Sequence, residues 1–196
     1  MTNEPDFESI NGTSHILLPH PTEAGSGNPN QLGSDGQTYT IGFIGIEVNP
    51  KNSDTVGGFL ITDNTGVPVE FLLTKAVRPT PAQKILYGKR LGSYLSVDLC
   101  ARQLVDDVKT RPGIILVEDE MMLALHRFTD IPVLWLQTPT ELGKTSERPS
   151  VTPPTQHPEY ADVIDLLSLD SDMIDAFRRI EECRVTLANE NPDFSI

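Results

Sequence analysis

The fold is decided by residues 38–136, which open with the run Ile41-Gly-Phe-Ile-Gly-Ile-Glu47. Short apolar runs of this kind recur along the stretch, and several of them end in acidic residues. The later runs are Gly58-Phe-Leu-Ile-Thr-Asp63, Val69-Glu-Phe-Leu-Leu73 and Ile114-Ile-Leu-Val-Glu-Asp-Glu120. Short runs rich in β-branched and aromatic side chains predict β-strands. The stretch is therefore predicted to form a sheet with carboxylates at its strand ends.

Three strands are predicted first, over residues 41–48, 57–63 and 67–77. The sequence Asp63-Asn-Thr-Gly66 separates the second from the third. A short connection that closes with glycine is typical of a turn between antiparallel strands. The three strands are therefore predicted to form an antiparallel meander.

A helical segment is predicted after Pro79-Thr-Pro81, where apolar residues recur at helical spacing from Ile85 and Leu86 onward. Gly88 and Gly92 divide it into a short helix and a longer one. Next come a strand over 114–117, a short helix over 121–128 and a strand over 131–136, which together predict a parallel crossover. The predicted fold class is α/β, with a mixed sheet of about five strands and flanking helices.

The two ends of the chain differ from this core in composition. Residues 1–37 are rich in Gly, Asn, Ser, Thr and Pro, so we predict a disordered arm apart from a possible docking segment at residues 16–18. Residues 137–158 carry five prolines and are predicted to be a linker or a long loop. Residues 159–196 are predicted to form acidic, amphipathic C-terminal helices, which could pack on the domain or face another protein.

The formal net charge of -13 lies mainly at the two ends. Residues 37–156 hold 13 acidic and 12 basic residues, so the centre of the chain is nearly neutral. Binding to nucleic acid remains possible, but the net charge does not favour it, because such binding needs clustered Lys and Arg. No apolar run approaches a membrane span, and the acidic N-terminus does not resemble a signal peptide. We therefore expect a cytoplasmic protein without membrane contact.

The two cysteines, Cys100 and Cys183, each lie in an apolar, helix-like pattern. Two isolated cysteines make neither a disulfide framework nor a metal-site spacing. We therefore expect two buried free thiols.

The first strand, Gly42-Phe-Ile-Gly-Ile-Glu-Val48, resembles the first strand of endonuclease V and of PIWI domains. Arg111-Pro-Gly-Ile-Ile-Leu-Val-Glu-Asp119 is similar to the endonuclease V strand that ends in a metal-binding aspartate. The element order is also that of the ribonuclease H-like fold, so the resemblance implies that topology over about half of the chain. The sequence also resembles bacterial proteins with a Gly-Gly-Phe…Thr-Asp…Gly…Pro pattern, which implies no function.

The resemblance implies a two-metal site for phosphodiester hydrolysis, with Mg²⁺ or Mn²⁺ as the cofactor. Two such ions stabilise the attacking and leaving oxygens of the displacement, and Mg²⁺ prefers oxygen ligands. Glu47, Asp98 and Asp119 are the candidate catalytic residues, and Glu118 is a further candidate metal ligand. Asp98 is included because it lies seven residues from both Leu91 and Val105, on the predicted buried face of its helix, where an unpaired charge is expensive.

The same carboxylates also have an ordinary structural interpretation. The resembled families place Asp rather than Glu on the first strand, and the Gly and His that follow the second aspartate in endonuclease V are absent here. Glu47 could begin a turn, Asp98 could lie at the edge of an apolar face, and residues 118–120 could cap a helix, whose dipole favours acids in the first turn.

A basic run covers Lys75, Arg78, Lys84, Lys89 and Arg90, within 16 residues that contain no acid. Lys84, Lys89 and Arg90 are candidate phosphate-binding residues. The run could instead be a solvated surface, or it could dock the acidic ends of this chain or of a partner.

Two functions follow from these observations. The first is a non-catalytic interaction subunit of a larger bacterial assembly, which contacts a protein partner through the C-terminal helix and the acidic ends. The alternative is a metal-dependent nuclease acting on DNA or RNA, or a degenerate form that only binds nucleic acid.

Overall fold

The computed structural model describes residues 7–10, 13–17, 40–137, 150–152 and 173–196. Within these residues, one eight-stranded sheet has the order β1-β2-β5-β4-β3-β6-β7-β8. In chain order the strands are β1 Phe7–Ile10, β2 Thr13–Leu17, β3 Thr40–Val48, β4 Thr55–Asp63, β5 Pro68–Thr74, β6 Ile114–Val117, β7 Val133–Gln137 and β8 Ser150–Thr152.

The five central strands confirm the predicted mixed α/β sheet. β3, β4 and β5 are antiparallel neighbours, β6 is parallel to β3, and β7 is parallel to β6. The order β5-β4-β3-β6-β7 is that of the ribonuclease H-like topology predicted from the sequence. Because β3 and β6 run in the same direction and Ile44 pairs with Val117, the residues that follow Val117 lie beside the last residues of β3.

The turn between β4 and β5 forms where the sequence predicted it. Oδ1 of Asp63 accepts hydrogen bonds from the backbone N–H groups of Thr65 and Val67, at 2.8 and 3.0 Å. Gly66 has a φ of 81°, in the left-handed region that glycine adopts without strain.

Three helices and several short helical turns accompany the sheet. Helix α1 is Pro81–Tyr87, and a 3-10 turn, Gly88–Arg90, separates it from α2 (91–107). Of the two glycines that predicted this division, Gly88 lies at the break and Gly92 lies within α2. The middle of α2, Tyr94–Ala101, has π-helical hydrogen bonding. A 3-10 helix, Glu120–Arg127, lies between β6 and β7, and α3 is Met173–Glu190. None of the helices in the described ranges has the length and apolar content that a membrane span needs.

The two faces of the sheet carry separate hydrophobic cores. Side chains alternate between the faces along a strand, so neighbours such as Phe43 and Ile44 belong to different cores. On the first face, Phe43 packs with Phe177 and Ile180 of α3. On the second face, Ile44 packs with the buried residues of α2 and of the 3-10 helix Glu120–Arg127. The direction in which each strand residue points therefore decides which helix it meets.

Short strands also lie in the two flanking segments for which the sequence predicted a disordered arm and a linker. β1 and β2 lie within the predicted disordered arm, where β2 pairs with the edge of β5, and β8 lies within the predicted linker and pairs with β7. An edge strand offers unpaired backbone groups, and pairing satisfies them whatever the composition of the added segment. Ile16 and Leu17 of the predicted docking segment do pair with β5, and the rest of residues 1–37 lies outside the described residues.

The C-terminal helix packs on the domain, which was one of the two possibilities left open by the sequence. Ala176, Phe177, Ile180 and Leu187 of α3 are buried in the first core, together with Phe194 from the turn Pro192–Phe194. The apolar face of α3 is therefore occupied by the sheet, and a partner contact through this helix would have to use its polar face.

Candidate functional site

Glu47 lies at the carboxyl end of β3, on the face that carries α3. Its carboxylate forms an ion pair with Nη2 of Arg184, whose side chain is 11% exposed. Arg184 is also held by Glu181, to which its Nε donates a hydrogen bond of 2.9 Å. Burial raises the pKa of Glu47, and the hydrogen bond that it shares with Glu181 raises the pKa further. The same guanidinium lowers the pKa of Glu181. Glu47 is therefore the carboxyl of this pair that retains its proton to higher pH.

A pocket of about 450 Å³ opens at this edge of the sheet. Glu118, which follows β6, lines it together with Glu47 and with Glu181 and Arg184 of α3. Gly45 and Gly58, the paired glycines of β3 and β4, form part of its wall. The parallel pairing of β3 with β6 therefore brings two of the four predicted metal ligands, Glu47 and Glu118, to one cavity.

Asp98 lies on the opposite face of the sheet. It belongs to the π-helical part of α2, and its Oδ1 is 3.5 Å from Nη2 of Arg127, in the 3-10 helix of the second core. Its side chain is 32% exposed, so it lies at the edge of the apolar face rather than within it. The structure does not bring Asp98 together with Glu47.

Asp119 caps a helix, as the structural interpretation of its sequence pattern expected. Its Oδ1 accepts a hydrogen bond of 2.8 Å from the backbone N–H of Met121, at the start of the 3-10 helix Glu120–Arg127. Across the described ranges, no group of three or more His, Cys, Asp or Glu residues has an arrangement that could hold a metal ion. Metal binding by Glu47, Asp98, Glu118 and Asp119 stays a prediction.

Three charged residues of this architecture were not identified from the sequence. Arg184 and Glu181 have the (i, i+3) spacing of a helical ion pair, which was the available signal. Glu70 of β5 is fully buried, and its two carboxylate oxygens accept hydrogen bonds from the backbone N–H groups of Lys109 and Thr110, at 2.9 and 2.6 Å. Glu70 therefore anchors the loop that leads into β6.

A second candidate site is the surface of α1. Although Ile85 and Leu86 belong to the helical pattern of the sequence, they are 81% and 82% exposed, and α1 has no buried residue. The helix is instead stabilised at its start. Thr80 and Gln83 form a reciprocal capping box with hydrogen bonds of 2.8 and 3.2 Å, and Pro81 occupies the first turn. These local bonds hold α1 in shape without burying its apolar side chains.

The predicted phosphate-binding residues lie on or beside α1. Nζ of Lys84 donates a hydrogen bond of 2.5 Å to the backbone carbonyl of Asn52, whereas Lys89 and Arg90, in the adjoining 3-10 turn, are exposed. The ring of Tyr87 stacks on that of Tyr94, with centroids 4.0 Å apart. A phosphate-binding role for the three basic residues stays a prediction.

The remaining basic residues of the run dock the end of the same chain, which confirms one of the sequence interpretations for them. Nζ of Lys75 is 3.0 Å from Oδ2 of Asp193, and Nη2 of Arg78 donates a hydrogen bond of 2.9 Å to the backbone carbonyl of Ser195. The backbone N–H of Ala76 also donates to the carbonyl of Asp193, at 2.7 Å. Lys75 and Arg78 therefore hold the C-terminal turn against β5.

Comparison with known proteins adds little to this description. No protein-family model matches the chain, and no curated protein matches it. Among solved structures, the chain is similar to endonuclease V of Ciona intestinalis, which was solved in complex with a 23mer DNA containing an inosine followed by a ribo-adenosine. The match covers 51% of this chain and 46% of that one, with 11% identity and a TM-score of 0.36. At these values it assigns neither a family nor an activity to this chain.

Proposed function

We propose that this chain is a non-catalytic protein-interaction subunit and that α1 is the element that contacts the partner. The observation that carries the proposal is the exposure of Ile85 and Leu86, two adjacent large aliphatic side chains that remain in water on a well-capped helix. An apolar surface that folding leaves in water marks an interaction site when its members are contiguous. α1 therefore takes the partner-binding role that the sequence had suggested for the C-terminal helix.

The energetics of α1 support this proposal. Full burial of an Ile or Leu side chain contributes about 1.5–3 kcal/mol, so covering both would contribute about 3–6 kcal/mol to an association. The capping box fixes the helix before a partner arrives, which lowers the ordering cost of binding. α1 is thus both apolar and pre-formed.

The carboxylate pocket also supports a non-catalytic role. The guanidinium of Arg184 contacts the carboxylates of both Glu47 and Glu181, which is where a bound cation would otherwise be expected. An arginine cannot give up its charge in a protein, so Arg184 offsets one of these two carboxylate charges at every physiological pH. The chain itself therefore supplies a cation to this pair of carboxylates.

Site-specific photo-crosslinking tests the proposal. Ile85 is replaced by a benzophenone amino acid in the full-length protein, which is expressed in its source cells and irradiated. We expect a discrete adduct with one partner. The matched control carries the same amino acid at Val185, a 44% exposed position on α3, and should give no such adduct. Identical patterns from the two positions, or no adduct from Ile85, would show that α1 is not the contact.

A metal-dependent nuclease remains the second candidate, because Glu47 and Glu118 line one pocket at the ends of parallel strands. Calorimetric titration of Mn²⁺ into the protein, with Glu47→Ala as control, tests it. Mn²⁺ binding that the substitution removes would favour this candidate and justify a screen for cleavage of DNA and RNA. If α1 is the functional surface and Arg184 already occupies the Glu47–Glu181 pair, we expect no specific Mn²⁺ binding.

A further inference from the structure

We infer that α1 and the adjoining turn Gly88–Arg90 form a docking surface for an acidic amphipathic segment of a partner protein. This inference rests on the proposed interaction function and adds the chemistry of the partner. Two features of the surface define that chemistry, namely the exposed aliphatic pair on α1 and the positive charge beside it.

The charged residues on α1 and in the turn that follows it are all basic. Lys84, Lys89 and Arg90 lie on α1 or in the turn that follows it, and the sequence contains no Asp or Glu from residue 71 to residue 97. Lys89 and Arg90 are exposed in the turn that follows the helix, within five residues of the aliphatic pair along the chain. Opposite charge across an interface accelerates association and excludes partners of the wrong sign. A partner segment that covers Ile85 and Leu86 should therefore carry carboxylates around its apolar residues.

The same surface is poorly suited to a phosphate backbone. Single-stranded nucleic acid is held by bases that stack on aromatic side chains, but the rings of Tyr87 and Tyr94 are already stacked on each other, with an interplanar angle of 17°. The exposed aliphatic side chains of Ile85 and Leu86 offer neither stacking nor hydrogen bonds. Carboxylates on an apolar peptide would match both halves of the surface.

A lipid surface is also less suitable than a peptide. Interfacial helices bury a long apolar face in the membrane, whereas α1 has seven residues and presents one adjacent aliphatic pair. The formal net charge of -13 would moreover repel an anionic bilayer, which presents a continuous field of like charge. A short peptide places only a few carboxylates near Lys89 and Arg90.

The test measures binding of a fluorescein-labelled helical peptide of about four turns, with Leu on one face and Glu on the other, to the full-length protein by fluorescence anisotropy. A scrambled peptide of the same composition is the control ligand. The double variant Ile85→Ser/Leu86→Ser removes the apolar pair, and Lys89→Gln/Arg90→Gln removes the charge. Val185→Ser and Lys51→Gln are the matched control variants, because each changes an exposed residue outside α1.

We expect the amphipathic peptide to bind at least about tenfold more tightly than the scrambled one, a difference of about 1.4 kcal/mol. The Ile85→Ser/Leu86→Ser variant should weaken binding by about tenfold or more. The Lys89→Gln/Arg90→Gln variant should also weaken it and reduce its dependence on salt. The two control variants should bind like the unmodified protein.

Other results would overturn the inference. Equal binding of both peptides would show a charge effect without recognition of the apolar pair. Stronger binding of phosphatidylserine vesicles or of oligo-dT, lost in the same variants, would assign the surface to a membrane or to nucleic acid. A dimer that dissociates in the Ile85→Ser/Leu86→Ser variant would assign it to a second copy of the chain. If no peptide binds but the crosslink from Ile85 persists, the interaction function stands and the partner chemistry is wrong; loss of the crosslink as well removes both.

Discussion

Gly58→Ala should weaken the packing of α3 on the sheet. A Cβ at this position would lie 2.5 Å from Cγ2 of Ile180, which is about 1 Å closer than the contact distance of two carbon atoms. Cγ2 of Ile180 is bonded directly to Cβ, so rotation about χ2 of that side chain cannot remove the clash. Overpacking of this kind costs about 1–3 kcal/mol, and the restriction of the unfolded chain returns about 0.4–1 kcal/mol. We therefore expect the free energy of unfolding to fall by about 1–2 kcal/mol.

A double-mutant cycle isolates this contact. Unfolding in urea is followed by the fluorescence of Trp135, the single tryptophan of the chain. Ile180→Ala alone should cost about 2–5 kcal/mol, since Ile180 is 4% exposed. In the double variant the new methyl group at residue 58 enters the space vacated by Ile180. The stability losses of the two single variants should therefore sum to about 1–3 kcal/mol more than the loss measured for the double variant.

Gly45→Ala is the matched control, because a Cβ there would lie 3.4 Å from the same methyl group of Ile180. We expect a change of less than about 0.5 kcal/mol in this variant. The reasoning is refuted if Gly58→Ala is as stable as the unmodified protein, or if the losses of Gly58→Ala and Ile180→Ala are simply additive.

Three further predictions follow from buried or paired groups. Glu70→Ala should lower the free energy of unfolding by about 3–5 kcal/mol, because the backbone N–H groups of Lys109 and Thr110 lose their acceptor. The control Glu182→Ala, at an exposed position, should cost less than about 1 kcal/mol in the same urea titration. Equal effects of the two substitutions would contradict the anchoring role of Glu70. Iodoacetamide should modify Cys183 in the folded protein and Cys100 only after unfolding, because burial raises the pKa of the Cys100 thiol to about 12. Mass spectrometry identifies the labelled cysteine at each time point. Labelling of Cys100 in the folded protein would count against its burial. Burial raises the pKa of Glu47, so the folded state binds the proton of this carboxyl more tightly than the unfolded state does. The contribution of Glu47 to stability should therefore fall as the pH rises from the unfolded pKa through the raised folded pKa. Glu47→Gln should remove that slope from urea midpoints measured between about pH 4 and about pH 7, and an unchanged slope would show that another group titrates.

The central sheet could be predicted because its signals are local. The runs that begin at Ile41 and Ile114 are apolar enough to identify buried strands, and the turn at Asp63 and Gly66 fixes the antiparallel pairing of β4 with β5. The crossover from β6 to β7 is parallel because a helical segment connects them. These features depend on neighbours in the sequence, and the pairing of the five central strands confirms them.

β2 and β8 were missed because their order depends on tertiary pairing. β2 pairs with β5, more than fifty residues later, and β8 pairs with β7 across the predicted linker. Neither segment has the composition of a buried strand. Edge pairing is decided by the backbone groups of the strand that is already in place, which a local pattern does not reveal.

The candidate site was predicted in part for the same reason. Glu47 and Glu118 could be placed together from strand direction, but the arginine that neutralises Glu47 comes from position 184 and shares no local pattern with it. Asp98 was assigned to a buried face from a seven-residue spacing, which presumes α-helical geometry. The π-helical hydrogen bonding of Tyr94–Ala101 widens the turn and shifts that register, so Asp98 faces Arg127 instead.

Exposed Cys183 corrects the expectation of two buried thiols, because only Cys100 is buried. Its helix, α3, is amphipathic, and residue 183 lies beside the buried positions Ile180 and Leu187 without being buried itself. The apolar pattern around Cys183 described the helix as a whole rather than this position.

The packing of α3 on the meander also has a consequence for the synthesis of the chain. β3, β4 and β5 have all been made by residue 74, but Phe177 and Ile180, which cover their first face, are added roughly 100 residues later. At about 5–20 residues per second, translation leaves this apolar face uncovered for about 5–20 s, whereas a chain of this size collapses in well under a millisecond. During this time the side chains of Phe43, Leu60 and Phe71 are exposed to solvent, to the ribosome surface and to chaperones. The first face of the sheet is covered only when α3 has emerged.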